Sequence, residues 1–183
     1  MTERTASSAR SDDLQAKDFR RPIEFLYTEH DRQRVLCAAL ERLAANPRAP
    51  DAREVAAQIV DYCQSRLGPH YSDEEKDLFP MLRLRAEPDD GIGTILDMLC
   101  EEHAADDELL KRLIGPLRAI AERAPLADEA AFRADAQAFS VLQRRHLAWE
   151  NGTILPLARR RLKPADEAEL GRRMAARRGL VLA

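Results

Sequence analysis

His70-Tyr71-Ser72-Asp73-Glu74-Glu75-Lys76-Asp77-Leu78-Phe79-Pro80 is the stretch from which the fold can be read. It opens on His-x-x-x-Glu, and the same spacing returns in His146-Leu147-Ala148-Trp149-Glu150. On an α-helix, residues four apart share one face, one turn from each other. Each pair therefore offers an imidazole and a carboxylate to the same point in space. Only two other histidines occur, His30 and His103, each in a helical stretch of its own. Four helices that each give a histidine, two of them also giving a glutamate, make a site inside a bundle.

The turns support that arrangement. Breaks fall at Asn46-Pro47, at Pro88-Asp89-Asp90-Gly91 and near Ala124-Pro125. His30 lies about 15 residues before the first break and His70 about 20 after it, at ~1.5 Å per residue. Similar distances on either side of a turn bring two residues to one height in an up-down-up-down bundle. His103 and His146 match in the same way around Pro125. The expected fold is all-α: an up-down-up-down four-helix bundle with a short additional C-terminal helix.

Composition agrees. Charged residues make up 33% of the 183, aromatics 5%, and there are seven glycines. Such a chain favours helix and is long enough for one real core. A net charge of -3 gives no basic bias toward nucleic acid. No apolar run reaches the ~20 residues that span a membrane. Met1 to Arg10 lacks the apolar core of a signal peptide. Cys37, Cys63 and Cys100 are odd in number and widely spaced, so they read as reduced thiols of a cytoplasmic protein.

The expected organisation is a mobile leader over 1–18, a bundle over 19–162 and a helical tail over 163–183. The first helix starts near Pro22, with Ile23, Leu26, His30, Cys37 and Leu40 on one face. Gln33 and Arg34 interrupt that stripe, which means either that one of them borders solvent or that one of them supports the site from behind the ligands. The second starts at Asp51, a good N-cap residue, and carries Ile59, Cys63 and His70. Pro69 has no N–H for the carbonyl four residues back, which predicts a kink or local widening, and Pro80 predicts another disturbance. The third carries Leu96, Leu99, Cys100, His103, Asp107, Leu110 and Ile114 inward and bends at Gly115-Pro116. The fourth starts at Asp128 and carries Phe132, Phe139, Leu142, His146, Glu150, Ile154 and Leu157. The tail helix, about Pro164 to Arg178, packs on the bundle as a lid.

The chemistry follows from the donors. Neutral imidazole and carboxylate suit iron, manganese and zinc, and one carboxylate can bridge two cations. His30, His70, His103 and His146 with bridging Glu74 and Glu150 give about eight bonds, while two octahedral ions offer about twelve positions. An oxo or hydroxo bridge and a small exogenous ligand fit in the remainder. Structural zinc sites are closed and tetrahedral, which favours two non-haem iron ions here. The Glu-x-x-His pair of ferritin-like bundles is absent, since Tyr27, Leu67, Cys100 and Gln143 precede the histidines by three. The zinc-protease His-Glu-x-x-His, glycine-rich phosphate loops and the Gly-x-Ser-x-Gly elbow are absent too. Glu74 rather than Glu75 is the expected ligand, because the fifth residue after His70 is rotated away by ~100°. Asp107, Tyr27 and Arg34 are further candidates around the site.

These residues resemble the hemerythrin-like, or HHE cation-binding, family. The matching segments are Tyr27-Thr-Glu-His30, His70 to Pro80, Glu101-Glu-His103 and His146-Leu-Ala-Trp-Glu-Asn-Gly-Thr-Ile-Leu-Pro156, within roughly residues 20–160. The resemblance implies a four-helix bundle around a di-iron centre that meets oxygen, nitric oxide or peroxide. Oxygen carriers of the family have a His-x-x-x-His pair where this chain has Leu99, His103 and Asp107. The ligand pattern is closest to the iron-centre repair type, without the cysteine-bearing N-terminal domain usual there. The expected function is binding or sensing of a small diatomic or peroxide. The alternative is an enzyme-like role as peroxidase, nitric-oxide processor or iron donor. A protein partner is compatible with either.

Overall fold

A computed structural model describes residues 14–182, so most of the expected leader lies outside the described residues. All regular structure among them is helical. Helix α1 runs Pro22–Ala45, α2 spans 52–85, α3 runs Gly93–Ala121, α4 spans 129–161, and α5 runs Pro164–Arg177. Pro22 starts α1 because its fixed φ suits a first turn and its missing N–H would have no partner there. Asp128 caps α4 by accepting from the Ala131 N–H at 2.9 Å. Asp51 precedes α2 without capping it and pairs instead with Arg42 at 3.2 Å.

Contacts run α1 to α2, α2 to α3, α3 to α4 and α4 back to α1, which closes a four-helix ring. The short connections 46–51, 86–92 and 122–128 make neighbours antiparallel. Among the described residues no helix is long and apolar enough to cross a membrane.

Neither α2 nor α4 is a uniform α-helix. α2 widens to π geometry at Cys63–Leu67 and Glu74–Leu78, and α4 does so at Glu150–Ile154. Each widened turn ends two residues before a proline: Pro69, Pro80 and Pro156. A proline removes the donor for the carbonyl four back and crowds it, so the preceding turn opens. The Phe79 N–H accordingly reaches the Glu74 carbonyl and the Leu155 N–H the Glu150 carbonyl, five residues back. The disturbances expected at Pro69 and Pro80 are these turns, while the one before Pro156 was not anticipated. Pro116 behaves differently, and α3 continues through it to Ala121 without widening.

The core has two apolar clusters. One gathers Leu26, Leu78, Phe79, Leu82, Leu96, Leu99, Ile154 and Leu155. The other gathers Leu40, Ile59, Leu67, Leu113, Leu117, Phe132 and Phe139. A layer of buried polar side chains separates them. Burying one such large apolar side chain is worth about 1.5–3 kcal/mol, so both clusters hold the layer firmly.

α5 closes the first cluster with Leu170, Met174 and Ala175. It is joined there by Phe19, fully buried on a 3₁₀ turn at Ala16–Arg20 that takes in residues 16–18 of the expected leader. Gly171 lies so close to this turn that a Cβ would stand 2.2 Å from the Phe19 carbonyl oxygen.

Candidate metal centre

Between the two apolar clusters, α1 supplies His30, α2 supplies His70 and Glu74, α3 supplies His103, and α4 supplies His146 and Glu150. All six are at most 2% exposed. The structure brings them together as two overlapping groups. His30, His70, Glu74 and Glu150 form one, and Glu74, His103, His146 and Glu150 the other, with donor atoms inside each group within 4.8 Å of one another.

The carboxylates are shared by the two groups. Glu74 Oε1 lies 3.4 Å from His30 Nε2 and 3.3 Å from His70 Nε2, while its Oε2 lies 3.4 Å from His103 Nε2. Glu150 Oε2 lies 3.2 Å from His30 Nε2 and its Oε1 3.3 Å from His146 Nε2. His103 Nε2 and His146 Nε2 are 3.0 Å apart. The His–Glu separations, 3.2–3.4 Å, lie at or beyond the upper end of the hydrogen-bond range. They bring imidazole nitrogens and carboxylate oxygens close enough to converge on a shared cation. Neither oxygen of Glu150, nor Glu74 Oε2, nor His70 Nε2 has a hydrogen-bond partner, although all are buried. Buried acceptors without donors are rare, and a cation is what this donor set lacks.

The outward nitrogens show how the rings are aimed. His30 Nδ1 donates to Asn151 Oδ1 at 2.8 Å, His103 Nδ1 to Glu75 Oε1 at 2.8 Å, and His146 Nδ1 to Glu102 Oε2 at 3.0 Å. Such partners fix the tautomer and leave the Nε2 lone pair facing inward. His70 Nδ1 has none. Glu75, read from the sequence as rotated away from the site, is indeed outside the cluster. It nevertheless orients His103, a contact between helices that single-helix geometry does not reveal. Glu102 and Asn151 were not picked out from the sequence either. Asn151 directly follows Glu150 and Glu102 directly precedes His103, and that adjacency is the local signal each carries.

Charge in the metal-free cluster is uneven. Burial opposes a proton on His146, but Glu150, Glu102 and Glu74 overcome it and hold its pKa at about 11. Burial prevails at His70 and lowers its pKa to about 4. His30 and His103 are raised despite burial, chiefly by Glu150 and Glu74 for the former and by Glu74 for the latter. Burial works against charge on Glu74, yet His70, His103 and His30 hold its carboxyl well below the usual range.

Beside the six lies a second buried polar group. The Tyr71 ring stacks on His103 with centroids 4.0 Å apart, and its hydroxyl donates to Asp106 Oδ2 at 3.0 Å. Gln143 Nε2 also donates to Asp106, and to Tyr71 Oη at 2.6 Å. Burial raises the Asp106 carboxyl to about 6 despite these donors. Gln33, one turn past His30, is fully buried with both amide atoms unpartnered.

The remaining candidates separate clearly. Asp107 is exposed, and Asp106 takes the inward position. The inner face of α3 follows Leu99, Glu102, His103, Asp106, Leu109 and Leu113, with Cys100, Leu110 and Ile114 only half-buried. The expected stripe holds at Leu96, Leu99 and His103 and is off by one residue beyond His103. Hydropathy excluded Glu102 and Asp106 from a face they in fact occupy. Arg34 is exposed and pairs with Asp31 at 2.7 Å. Tyr27 is half-buried, its ring centroid 6.5 Å from that of His30, with the Arg159 guanidinium over its ring.

Comparison with curated proteins gives no significant match. A family model described as the hemerythrin HHE cation binding domain matches residues 21–158, a span that contains all six converging side chains and stops short of α5. With helical architecture, paired His/Glu clusters and sequence in agreement over most of its length, the chain belongs to the hemerythrin HHE cation-binding domain family.

Proposed function

We propose that this protein is a non-haem di-iron protein that binds or senses a small ligand (oxygen, nitric oxide or peroxide) at a metal pair. In this reading His30 and His70 would hold one ion and His103 and His146 the other, with Glu74 and Glu150 available to both. The observation that carries it is the sharing of both carboxylates by two four-residue groups. A donor set of imidazole and carboxylate without thiolate suits iron better than a closed zinc site. When bound, an iron pair supplies one-electron redox chemistry and open coordination positions. The chain itself keeps four Nε2 atoms facing inward and, by burying all six side chains, excludes bulk water. Having one imidazole fewer than the oxygen carriers supports ligand exchange over reversible oxygen storage. Three unpaired cysteines support placement in the reducing cytoplasm.

The alternative is the enzyme-like role as peroxidase, nitric-oxide processor or iron donor in iron-sulfur repair. The Tyr71–Asp106–Gln143 group supports it, because a buried carboxyl with a pKa of about 6 can hold and release a proton near neutral pH beside His103. Metal analysis with an optical spectrum of the purified protein tests the first reading. Two irons per chain and a near-ultraviolet charge-transfer band are expected. A single metal per chain at full occupancy, or a Soret band, overturns it. Peroxide turnover by Asp106→Asn separates the two readings, since an enzyme loses rate where a binding protein does not.

A further inference from the structure

The family match ends at residue 158, yet α5 beyond it grips α2 at the turn that carries Glu74. Asp73 is fully buried and accepts from Arg178 Nη2 at 2.7 Å, from Arg178 Nη1 at 3.1 Å and from Arg177. Asp77, also buried, accepts from Arg177 Nη2 at 2.6 Å and from Arg173 Nη1 at 3.2 Å. One guanidinium, that of Arg177, therefore spans the point where α2 widens, with Asp73 just before it and Asp77 within it. Arg178 is itself fixed. It donates to the Met174 carbonyl at 2.9 Å, and its guanidinium lies over the rings of Phe19 and Phe25, 5.2 and 5.4 Å from their centroids.

Widened turns are rare in helices and concentrate at functional sites, so what holds this one open matters. The residue at its start is Glu74, which faces His30, His70 and His103. Planar guanidinium forks fix carboxylates in direction as well as distance. We propose that Arg177 and Arg178 are positioning residues for the metal centre: by clamping Asp73 and Asp77 they fix the widened turn that aims Glu74, and they couple docking of α5 to metal binding. The proposal rests on the reading of Glu74 as a ligand. Coupling of this kind is reciprocal, so the factor the clamp adds to metal affinity is the factor the metal adds to docking of α5.

A second link between the same helices provides the control. Arg85 donates from Nε and Nη2 to Asp166 at 2.8 Å each, which ties the start of α5 to the end of α2 away from Glu74. The experiment titrates ferrous iron anaerobically into the metal-free wild type and the Arg177→Gln, Arg178→Gln and Arg85→Gln variants. Thermal melts and hydrogen exchange of the Phe79 amide, which closes the widened turn, are read on the same metal-free proteins. Arg177→Gln and Arg178→Gln are expected to weaken iron binding by ~10-fold or more and to speed Phe79 exchange. Arg85→Gln lowers the melting temperature and leaves both readouts at wild type. Arg177→Lys, which keeps the charge and loses the fork, recovers part of the affinity. Wild-type affinity and Phe79 protection in the two clamp variants overturn the proposal, as does an equal loss of affinity in Arg85→Gln. A wild type that takes up no iron overturns the ligand reading together with the clamp, whereas the other outcomes leave the ligand reading standing.

Discussion

Helices α2 and α4 carry the same local pattern in different surroundings. Each has His-x-x-x-Glu with a proline six residues after the glutamate, and each widens at that glutamate. Around Glu74 the turn is held from outside, by arginines of α5. Around Glu150 it is held from inside, where Asn151 accepts from His30. His70 has nothing on its Nδ1 and is lowered to about 4, chiefly by burial. His146 has Glu102, itself paired with Arg145, and is raised to about 11. Local sequence thus repeats the geometry, while the neighbours decide protonation and rigidity.

The largest effect should come from the feature the two helices share. Glu74→Ala and Glu150→Ala each remove a carboxylate that reaches both groups, so both should abolish paired binding, with affinity down by more than about 100-fold. Metal per chain after desalting measures this, and a marked inequality between the two variants would mean that one carboxylate serves a single ion.

The partners of the outer nitrogens come next. Glu75→Ala and Glu102→Ala should weaken the His103/His146 position by about 10- to 100-fold and leave the His30/His70 position nearly unchanged. Stepwise metal isotherms show whether only one step moves. Retention of both steps in Glu75→Ala would return this residue to the outward role read from the sequence.

Protons distinguish the two histidines directly. At pH 7 metal-free His146 is charged and His70 is neutral, so loading must expel the proton of His146 and none from His70. About one proton or more per chain should appear in a weakly buffered titration, and affinity should rise with pH. Metal-free stability should respond as well. The raised pKa of His146 contributes fully below its unfolded value of ~6.5, and that contribution is lost as pH rises through about 11. Melting temperatures that fail to fall from neutral to alkaline pH would contradict this. The smallest effect is expected at the junction of the two helices, where Tyr71 of α2 and Gln143 of α4 meet on Asp106. Asp106→Asn should cost about 1 kcal/mol by thermal melts, with metal stoichiometry unchanged.

The bundle and the convergence of His30, His70, Glu74, His103, His146 and Glu150 were legible in the sequence because spacing of four on a helix is a local rule. The contacts that aim the rings were not. His103 meets Glu75, His146 meets Glu102 and His30 meets Asn151 across helix boundaries, and no periodicity within one helix encodes those meetings. The error at Asp107 has the same origin. Residues three and four past His103 both lie near its face, and only packing against Tyr71 and Gln143 selects Asp106. Pro69 and Pro80 pointed to disturbed turns, and the same reasoning applied to Pro156 would have found the third. Pro116 shows its limit, since α3 absorbs that proline without opening.

A turn that closes on the fifth residue back takes in one residue more than an α-turn does. Everything beyond it is shifted in phase by ~100° relative to an uninterrupted helix. In α2 and α4 the shift begins at the glutamate, so the half before it is indexed to the imidazoles and the half after it to Leu78, Phe79 and Leu82, or to Ile154, Leu155 and Ala158, all buried. Two demands that one continuous helix would have to reconcile are met in separate frames. Closing the turn at 74–78 as an ordinary α-turn with no residue removed would rotate the last two turns by ~100° and point the wrong side chains at the core, whereas deleting one residue between 75 and 78 would give a regular helix that keeps them in place.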